Sequence, residues 1–574
     1  MPTLNWIGKD KVINHHQDVP FRVLESRYTF GTPDSGNMII RGDNLDALKA
    51  LLPQYEGRIK CVYIDPPYNT GNEGWVYNDN VSDPKIQKWL GEVVGREGED
   101  LSRHDKWLCM MYPRLRLLQR LLADDGVIFI SIDDNEYASL KLICDEIYGS
   151  NCFVADISWQ RTYSTRNDSK GIVTEVEHLL SYSKQPNWQP DKLPRSEKMN
   201  SIYKNPDNET RPWTSDNPFA PGAATHQGMV YAIQHPFTGA MIYPKNSQCW
   251  RYQQDTMLDI MLGWCEYELR DLNDAKERAK ICGVPESEIR QGVMGIVLSK
   301  SLEESNKQAQ KIYDRGQWPK FYFTKQGKGG IRRKTFLENV GGKVVTNFWS
   351  YSDAGHTDEA KKELLMLFSG ISTFDTPKPT RLIQRIMQIL PDKDALFLDS
   401  FAGSGTTAHA VLNMNKADGG NRRFILVEME DYADTITAER VRRVIDGYGE
   451  VEGTGGGFEY YELGEPLMFA DGKLNESADT SKIREYVWYM ETKQPAQEID
   501  LLTYPYMLGA TGGTAYYFLY EKEKVTTLDA AFLSTIITKA ERYVIYADQC
   551  ALPDETLSQY NIAFKKIPRD IAKL

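Results

Sequence analysis

Leu398-Asp399-Ser400-Phe401-Ala402-Gly403-Ser404-Gly405-Thr406 is the stretch that decides how this chain folds. Before it, Ala395-Leu-Phe-Leu398 is a short apolar run of the kind that fills a buried strand. After it, Thr406 to about Met414 has helical spacing, and Phe424-Ile-Leu-Val427 is a second buried-type strand. Strand, glycine turn, helix and strand in that order make a β-α-β unit, and such units build parallel sheets covered by helices. Glycines at the turn let the backbone approach a ligand closely, and the helix start beyond them offers free N–H groups. Glycines also occupy strand-to-helix turns for steric reasons alone, so the flanking acids matter. Asp399 ends the first strand, and Glu428 ends the second, 25 residues after Gly403. That is close to the roughly 20-residue interval at which an acid reaches ribose hydroxyls in doubly wound folds. A nucleoside cofactor is the expected occupant.

The first third repeats the alternation. Asn37-Met-Ile-Ile-Arg41 is a strand-like run, Leu45 to Leu52 repeats leucine at helical spacing, and Ile59-Lys-Cys-Val-Tyr-Ile64 is a further strand. Trp107 to Leu122 is an apolar helix, Val127 to Ile132 a buried-type strand, and Tyr137 to Ile147 a helix. At the end of the Ile59–Ile64 run stands Asp65-Pro66-Pro67-Tyr68-Asn69-Thr70-Gly71. Two adjacent prolines stiffen the backbone and remove two donors, so the Asp65 carboxylate and Pro66 carbonyl can face a crevice as acceptors. Tyr68 adds an aromatic face, suited to a planar ring gripped by stacking and by its exocyclic amino group. The plainer alternative is a proline turn that only closes a strand.

The 574 residues allow about three or four domains. We read 1–157 and 351–446 as two parts of one α/β domain with a doubly wound, mostly parallel sheet. From about Ser158 to Ser350 the periodicity weakens, so 158–350 reads as an insert; 459–574, after the glycine-rich stretch Gly447 to Gly457, reads as a small α/β domain. The composition, 41% hydrophobic and 26% charged, is that of ordinary globular protein. Eight scattered cysteines without a Cys-x-x-Cys pair argue against a disulfide framework or structural zinc. His15-His16 and His409 lack partners at ligand spacing, so no metal is expected. No apolar run approaches the ~18 residues of a membrane span, and Met1 to Lys11 lacks a signal-peptide core, so cytoplasmic residence is expected. The net charge of −12 hides a division: residues 151–350 hold 27 Lys+Arg against 22 Asp+Glu, leaving −17 for the remainder. A polyanion should meet the middle third.

Asp65-Pro-Pro-Tyr68 with Phe401-x-Gly-x-Gly405 resembles the exocyclic-amino DNA methyltransferases that use S-adenosylmethionine. The order of the two motifs around a long insert resembles their circularly permuted β group. Arg41-Gly-Asp-Asn-Leu-Asp-Ala-Leu48, Tyr63 to Gly71, Phe374-Asp-Thr-Pro-Lys-Pro379, Leu398 to Leu412 and Asp418-Gly-Gly420 are similar to modification (Mod) subunits of type III restriction-modification systems. So are Met1-Pro-Thr-Leu-Asn-Trp-Ile-Gly8 and Phe564-Lys-Lys-Ile-Pro-Arg-Asp-Ile571.

The resemblance implies a Rossmann-like methyltransferase sheet and N6 methylation of an adenine flipped out of duplex DNA. Asp65, Pro66, Pro67 and Tyr68 would be the catalytic set. Asp399, Phe401, Gly403, Gly405, Thr406 and Glu428 would hold the cofactor, with Asp43 near its adenine amino group and Lys378 facing its carboxylate. The insert would be the target-recognition domain, where Lys320, Lys325, Lys328, Arg332, Arg333 and Lys334 interleave with aromatic residues as a phosphate-tracking surface would. Implied partners are double-stranded DNA, a second copy of the chain and a helicase-nuclease restriction subunit. A cytosine-N4 enzyme uses the same crevice but often has Ser where this chain has Asp65; an orphan methyltransferase and a non-catalytic DNA-specificity subunit are the other readings.

Overall fold

A computed structural model describes residues 3–70, 103–164, 171–390, 392–469 and 471–569. Gly71 of the proline motif and the termini quoted above, Met1-Pro2 and Asp570-Ile571, lie outside these residues.

The strands are β1 (Arg22–Gly31), β2 (Met38–Arg41), β3 (Ile59–Ile64), β4 (Leu122–Ile132), β5 (Phe153–Gln160), β6 (Val176–Ser183), β7 (Phe348–Trp349), β8 (Leu396–Asp399), β9 (Arg423–Glu428) and β10 (Gly457–Pro466). Among the described residues they form one sheet in the order β1-β10-β2-β9-β8-β3-β4-β6-β5-β7. From β10 to β4 every neighbouring pair is parallel. Antiparallel pairs flank this centre, β1 on β10 and β6 on β4.

Parallel strands must be covered on both faces, which is why β3 reads from Cys61 to Ile64 as a continuous apolar run rather than an alternation. Ile40, Val62, Ile64, Ile128 and Ile130 turn to one face and join a core with α1 (Asn44–Tyr55), α2 (Arg103–Leu121) and α3 (Tyr137–Ile147). The alternate residues Ile39, Cys61, Phe129, Phe397 and Leu426 are equally buried. On β9 packs α5 (Thr406–Asp418), and α4 (Thr380–Gln388) packs on α5.

The sequence reading differs from the structure at two boundaries. The insert forms a compact unit over 192–344 rather than 158–350, because β5, β6 and β7 pair within the main sheet. Their Trp and Tyr content and weak helical period disguised these strands as irregular chain. Likewise 457–466 is β10 of the main sheet rather than the start of a separate domain. Beyond it, Met507–Thr511, Thr514–Phe518, Arg542–Ala547 and Ile562–Lys566 form a four-stranded sheet of their own. This region falls in the same compact unit as the large sheet.

Candidate active site

Strands β3 and β8 are neighbours, with Cys61 opposite Phe397 and Val62 opposite Leu398. From β3 the chain proceeds to β4 on one side; from β8 it proceeds to β9 on the other. Where connections diverge in this way a crevice opens beyond the carboxyl ends of the strands. Asp65 and Asp399 stand at those two ends, and both line a cavity of about 500 Å³. Of the residues expected at a site, Pro66, Tyr68, Lys378, Phe401, Gly403 and Thr406 also line it.

The proline turn is held from behind. Trp107 Nε1 donates to the Pro67 carbonyl at 2.7 Å. Asn69, fully buried with φ +58°, donates to Glu136 Oε1 at 2.5 Å and to the Arg103 carbonyl at 3.2 Å. Tyr68 donates from its hydroxyl to Glu177 Oε2 at 3.1 Å, and Arg161 pairs with Glu177 Oε1 at 2.7 Å.

Lys378 was expected at the cofactor's carboxylate. Its ammonium instead lies 2.7 Å from both oxygens of Asp65 and 4.9 Å from the centre of the Tyr68 ring. A carboxylate in an enclosed crevice requires a counter-charge, and this lysine supplies one. Pro377 and Pro379 restrict the Lys378 backbone to extended geometry, and Thr406 Oγ1 donates to its carbonyl at 3.2 Å. Burial pushes the Asp65 carboxyl above the usual carboxylate range, with the Lys378 charge opposing.

The glycine turn carries the second acidic pair. Asp399 accepts from the Phe401 amide at 3.1 Å and from Thr407 Oγ1 at 2.6 Å. Glu428 accepts from the amides of Gly403 at 2.8 Å and Glu430 at 3.0 Å. Burial pushes each of these two carboxyls up to about 7. Gly403 and Gly405 have φ of +51° and +83°, backbone that a side chain strains. A Cβ on Gly403 would meet Phe374 Cζ at 3.2 Å, and one on Gly405 would meet the Thr437 carbonyl at 3.1 Å.

Asp43 does not line the cavity. Its carboxylate accepts from the Leu45 and Asp46 amides at the start of α1 and pairs with the buried Arg114 at 3.3 Å. Unsatisfied helix-start amides and a buried guanidinium both demand that carboxylate. Glu428 and Gly405 lie behind the cavity wall, joined to it through Gly403 and Thr406.

Sequence reasoning missed Glu177 and Arg161, since both fell within the supposed insert. A carboxylate close before the apolar pair Leu179-Leu180 was the available signal. It also missed Arg440, fully buried, which donates to Ser404 Oγ and Thr406 Oγ1 at 2.9 Å each and to Glu363 Oε2 at 3.1 Å. Arg440 thereby ties the start of α5 to a distant carboxylate.

A sequence model described as DNA methylase matches residues 59–439, which include both motifs. The chain belongs to the DNA methylase family. This chain is 32% identical over 496 residues to the type III restriction-modification enzyme StyLTI Mod subunit of Salmonella typhimurium, a match covering 81% of this chain and 66% of that protein. It is 28% identical to the EcoPI Mod subunit of Escherichia phage P1 over 75% of this chain and 64% of that protein. The match to the type II methyltransferase M.KpnI of Klebsiella pneumoniae is 29% over 71% and 85%. The chain thus spans just under two thirds of the two Mod subunits. Among solved structures, the PvuII cytosine-N4-specific DNA methyltransferase aligns over 70% of this chain and 86% of its own, at a TM-score of 0.32 and 13% identity.

In the methylase's insert, the basic run from Lys320 to Lys334 divides by burial. Phe321–Phe323 and Ile331–Phe336 form a hairpin that pairs onward with Trp213–Asp216. Lys325 and Lys328 are exposed in its turn, and Lys320 is exposed 5.1 Å from the Tyr252 ring centre. Arg332 is partly exposed, donating to Ser215 Oγ at 3.1 Å, and Arg333 pairs with Asp216. Lys334 was expected on a DNA-facing surface, but it is fully buried and paired with the equally buried Asp207. It occupies an inward position of its strand, where the same carboxylate also accepts from Trp213 Nε1 and the Trp318 amide at 2.8 Å each. Among the described residues, no helix is long and apolar enough to cross a membrane, and no group of three His, Cys, Asp or Glu could hold a metal.

Proposed function

We propose that this chain is an S-adenosylmethionine-dependent DNA methyltransferase that methylates N6 of adenine, and that it is the modification and recognition subunit of a type III restriction-modification system. The observation that carries the reading is the convergence of Asp65, Tyr68, Asp399 and Gly403 on one cavity at the divergence of β3 and β8. The names of the relatives, Mod subunits and a type II methyltransferase, support it.

The residues fit S-adenosylmethionine by their chemistry. A glycine turn whose Cβ positions are already crowded, two buried carboxylates and the aromatic rings of Phe374 and Phe401 suit a nucleoside carrying a cationic tail. Asp399 and the Gly403 turn would hold it, with Glu428 bracing Gly403 from behind. When bound, S-adenosylmethionine supplies an electrophilic sulfonium methyl; N–C bond formation at adenine N6 accompanies C–S bond cleavage, with the electron pair passing to sulfur.

The amino nitrogen of adenine is a poor nucleophile because its lone pair is delocalised into the ring. Asp65 and the Pro66 carbonyl, accepting its two N–H bonds, would favour a tetrahedral nitrogen with its lone pair free. Preorganised acceptors of this kind cost no reorganisation during reaction. One proton must leave N6 with or after methyl transfer, and the Asp65 carboxylate would accept it. Base flipping costs a few kcal/mol, which stacking on Tyr68, worth about 1–3 kcal/mol, offsets in part. Double-stranded DNA, a second copy of the chain and a restriction subunit are the proposed partners.

Incubation with methyl-labelled S-adenosylmethionine and duplex DNA, followed by nucleoside mass spectrometry, tests the reading. N6-methyladenine at one sequence context is expected; N4-methylcytosine or no methylated base contradicts it.

A further inference from the structure

Lys378 occupies both places that an incoming adenine needs. Its ammonium donates to the two Asp65 oxygens and lies over the Tyr68 ring. A second carboxylate stands within its reach, Glu177 Oε2 at 3.9 Å. Side chains of Lys378 and Glu177 are 11% and 8% exposed, so neither charge can turn to bulk water without leaving the crevice. The Lys378 backbone is fixed between prolines and by Thr406, but its four-carbon stem is flexible.

We propose that Lys378 is a positioning residue that stands in for the substrate's amino group: it keeps Asp65 ionised until the base arrives and then moves to Glu177, leaving Asp65 and the Tyr68 face to the adenine. This rests on the methyltransferase reading. Without the lysine, the described charged groups on the cavity wall around Asp65 would be Glu177, Asp399 and Asp133, whose charges oppose its own, and Arg161, already paired with Glu177; Tyr63 and Tyr68 would face it with hydroxyls, that of Tyr68 shared with Glu177. A protonated Asp65 loses acceptor capacity, so the substrate amine would find its partner already neutralised. Arg161, paired with Glu177, holds that second seat in orientation.

The full-length chain and its Lys378→Met, Lys378→Arg and Glu177→Gln variants test this. In single-turnover methylation, Lys378→Met should move the acidic limb of the rate–pH profile upward by about one unit or more, and Lys378→Arg should bring it back. Affinity for S-adenosylmethionine, measured by calorimetry, should stay within about twofold in all three variants, well short of the tenfold that 1.4 kcal/mol represents. Glu177→Gln should raise KM for DNA more than it lowers kcat. An unmoved acidic limb in Lys378→Met, or a tenfold loss of S-adenosylmethionine affinity there, overturns the proposal and returns the lysine to the cofactor. A wild-type chain that makes no N6-methyladenine overturns the functional reading instead. Acetic anhydride labelling of Lys378, read by peptide mass spectrometry, then decides the ion pair by itself. Labelling several-fold faster in Asp65→Asn than in wild type supports the pair, and equal rates overturn it.

Discussion

The amide of Gly403 donates to Glu428 Oε2 at 2.8 Å, joining the turn after β8 to the end of β9. The acid read from the sequence as a ribose ligand stands here as the brace of the glycine turn, and its protonation state bears on that turn.

Burial pushes Asp399 and Glu428 up to about 7. A carboxyl raised in the folded state stabilises the fold below its unfolded value, near 4, and that contribution is lost as pH rises through about 7. A cofactor whose hydroxyls or ammonium favour ionised Asp399, and which presses on the Gly403 turn that ionised Glu428 holds, opposes this loss and binds with release of protons. Calorimetry should therefore show S-adenosylmethionine affinity rising between pH 6 and pH 8, with Glu428→Gln flattening the rise.

Gly405 has φ +83°, and a Cβ there would press on the Thr437 carbonyl. Gly405→Ala should cost about 1–2 kcal/mol from the left-handed backbone alone. A lower urea midpoint with an unchanged slope would check this, and cofactor affinity should fall with it.

The insert's basic residues should separate by burial. Lys334→Met leaves Asp207 buried without its cation, a loss of roughly 3–5 kcal/mol, seen as early proteolysis within 192–344. Lys325→Ala and Lys328→Ala should leave stability unchanged. Each should reduce the slope of log affinity for DNA against log salt by about 0.9.

These contrasts mark what the sequence made legible. The parallel core was plain because strands buried on both faces must be apolar over their covered length, as Cys61–Ile64 and Phe424–Val427 are. The two motifs were plain because prolines and glycines restrict or free the backbone by covalent structure alone. The partners of Asp65 were not. Lys378 lies 313 residues away along the chain, and nothing in Thr-Pro-Lys-Pro says which charge the ammonium will meet. Lys334 looked like its exposed neighbours because a run of like residues does not reveal which side of a strand each takes. Strands β5 and β6 were absorbed into the insert because Asp156, Trp159, Glu177, His178 and Tyr182 interrupt the apolar run that marks a buried strand, and such residues also mark loops.

The measurement closest to the central claim compares wild type with Asp65→Asn. Both should bind S-adenosylmethionine with similar affinity by calorimetry. Only wild type should transfer the labelled methyl to adenine in duplex DNA, with Asp65→Asn slower by at least about a thousandfold, or 4 kcal/mol. Methyl transfer by Asp65→Asn within tenfold of wild type would contradict the assignment of Asp65 as the acceptor of the reacting amine.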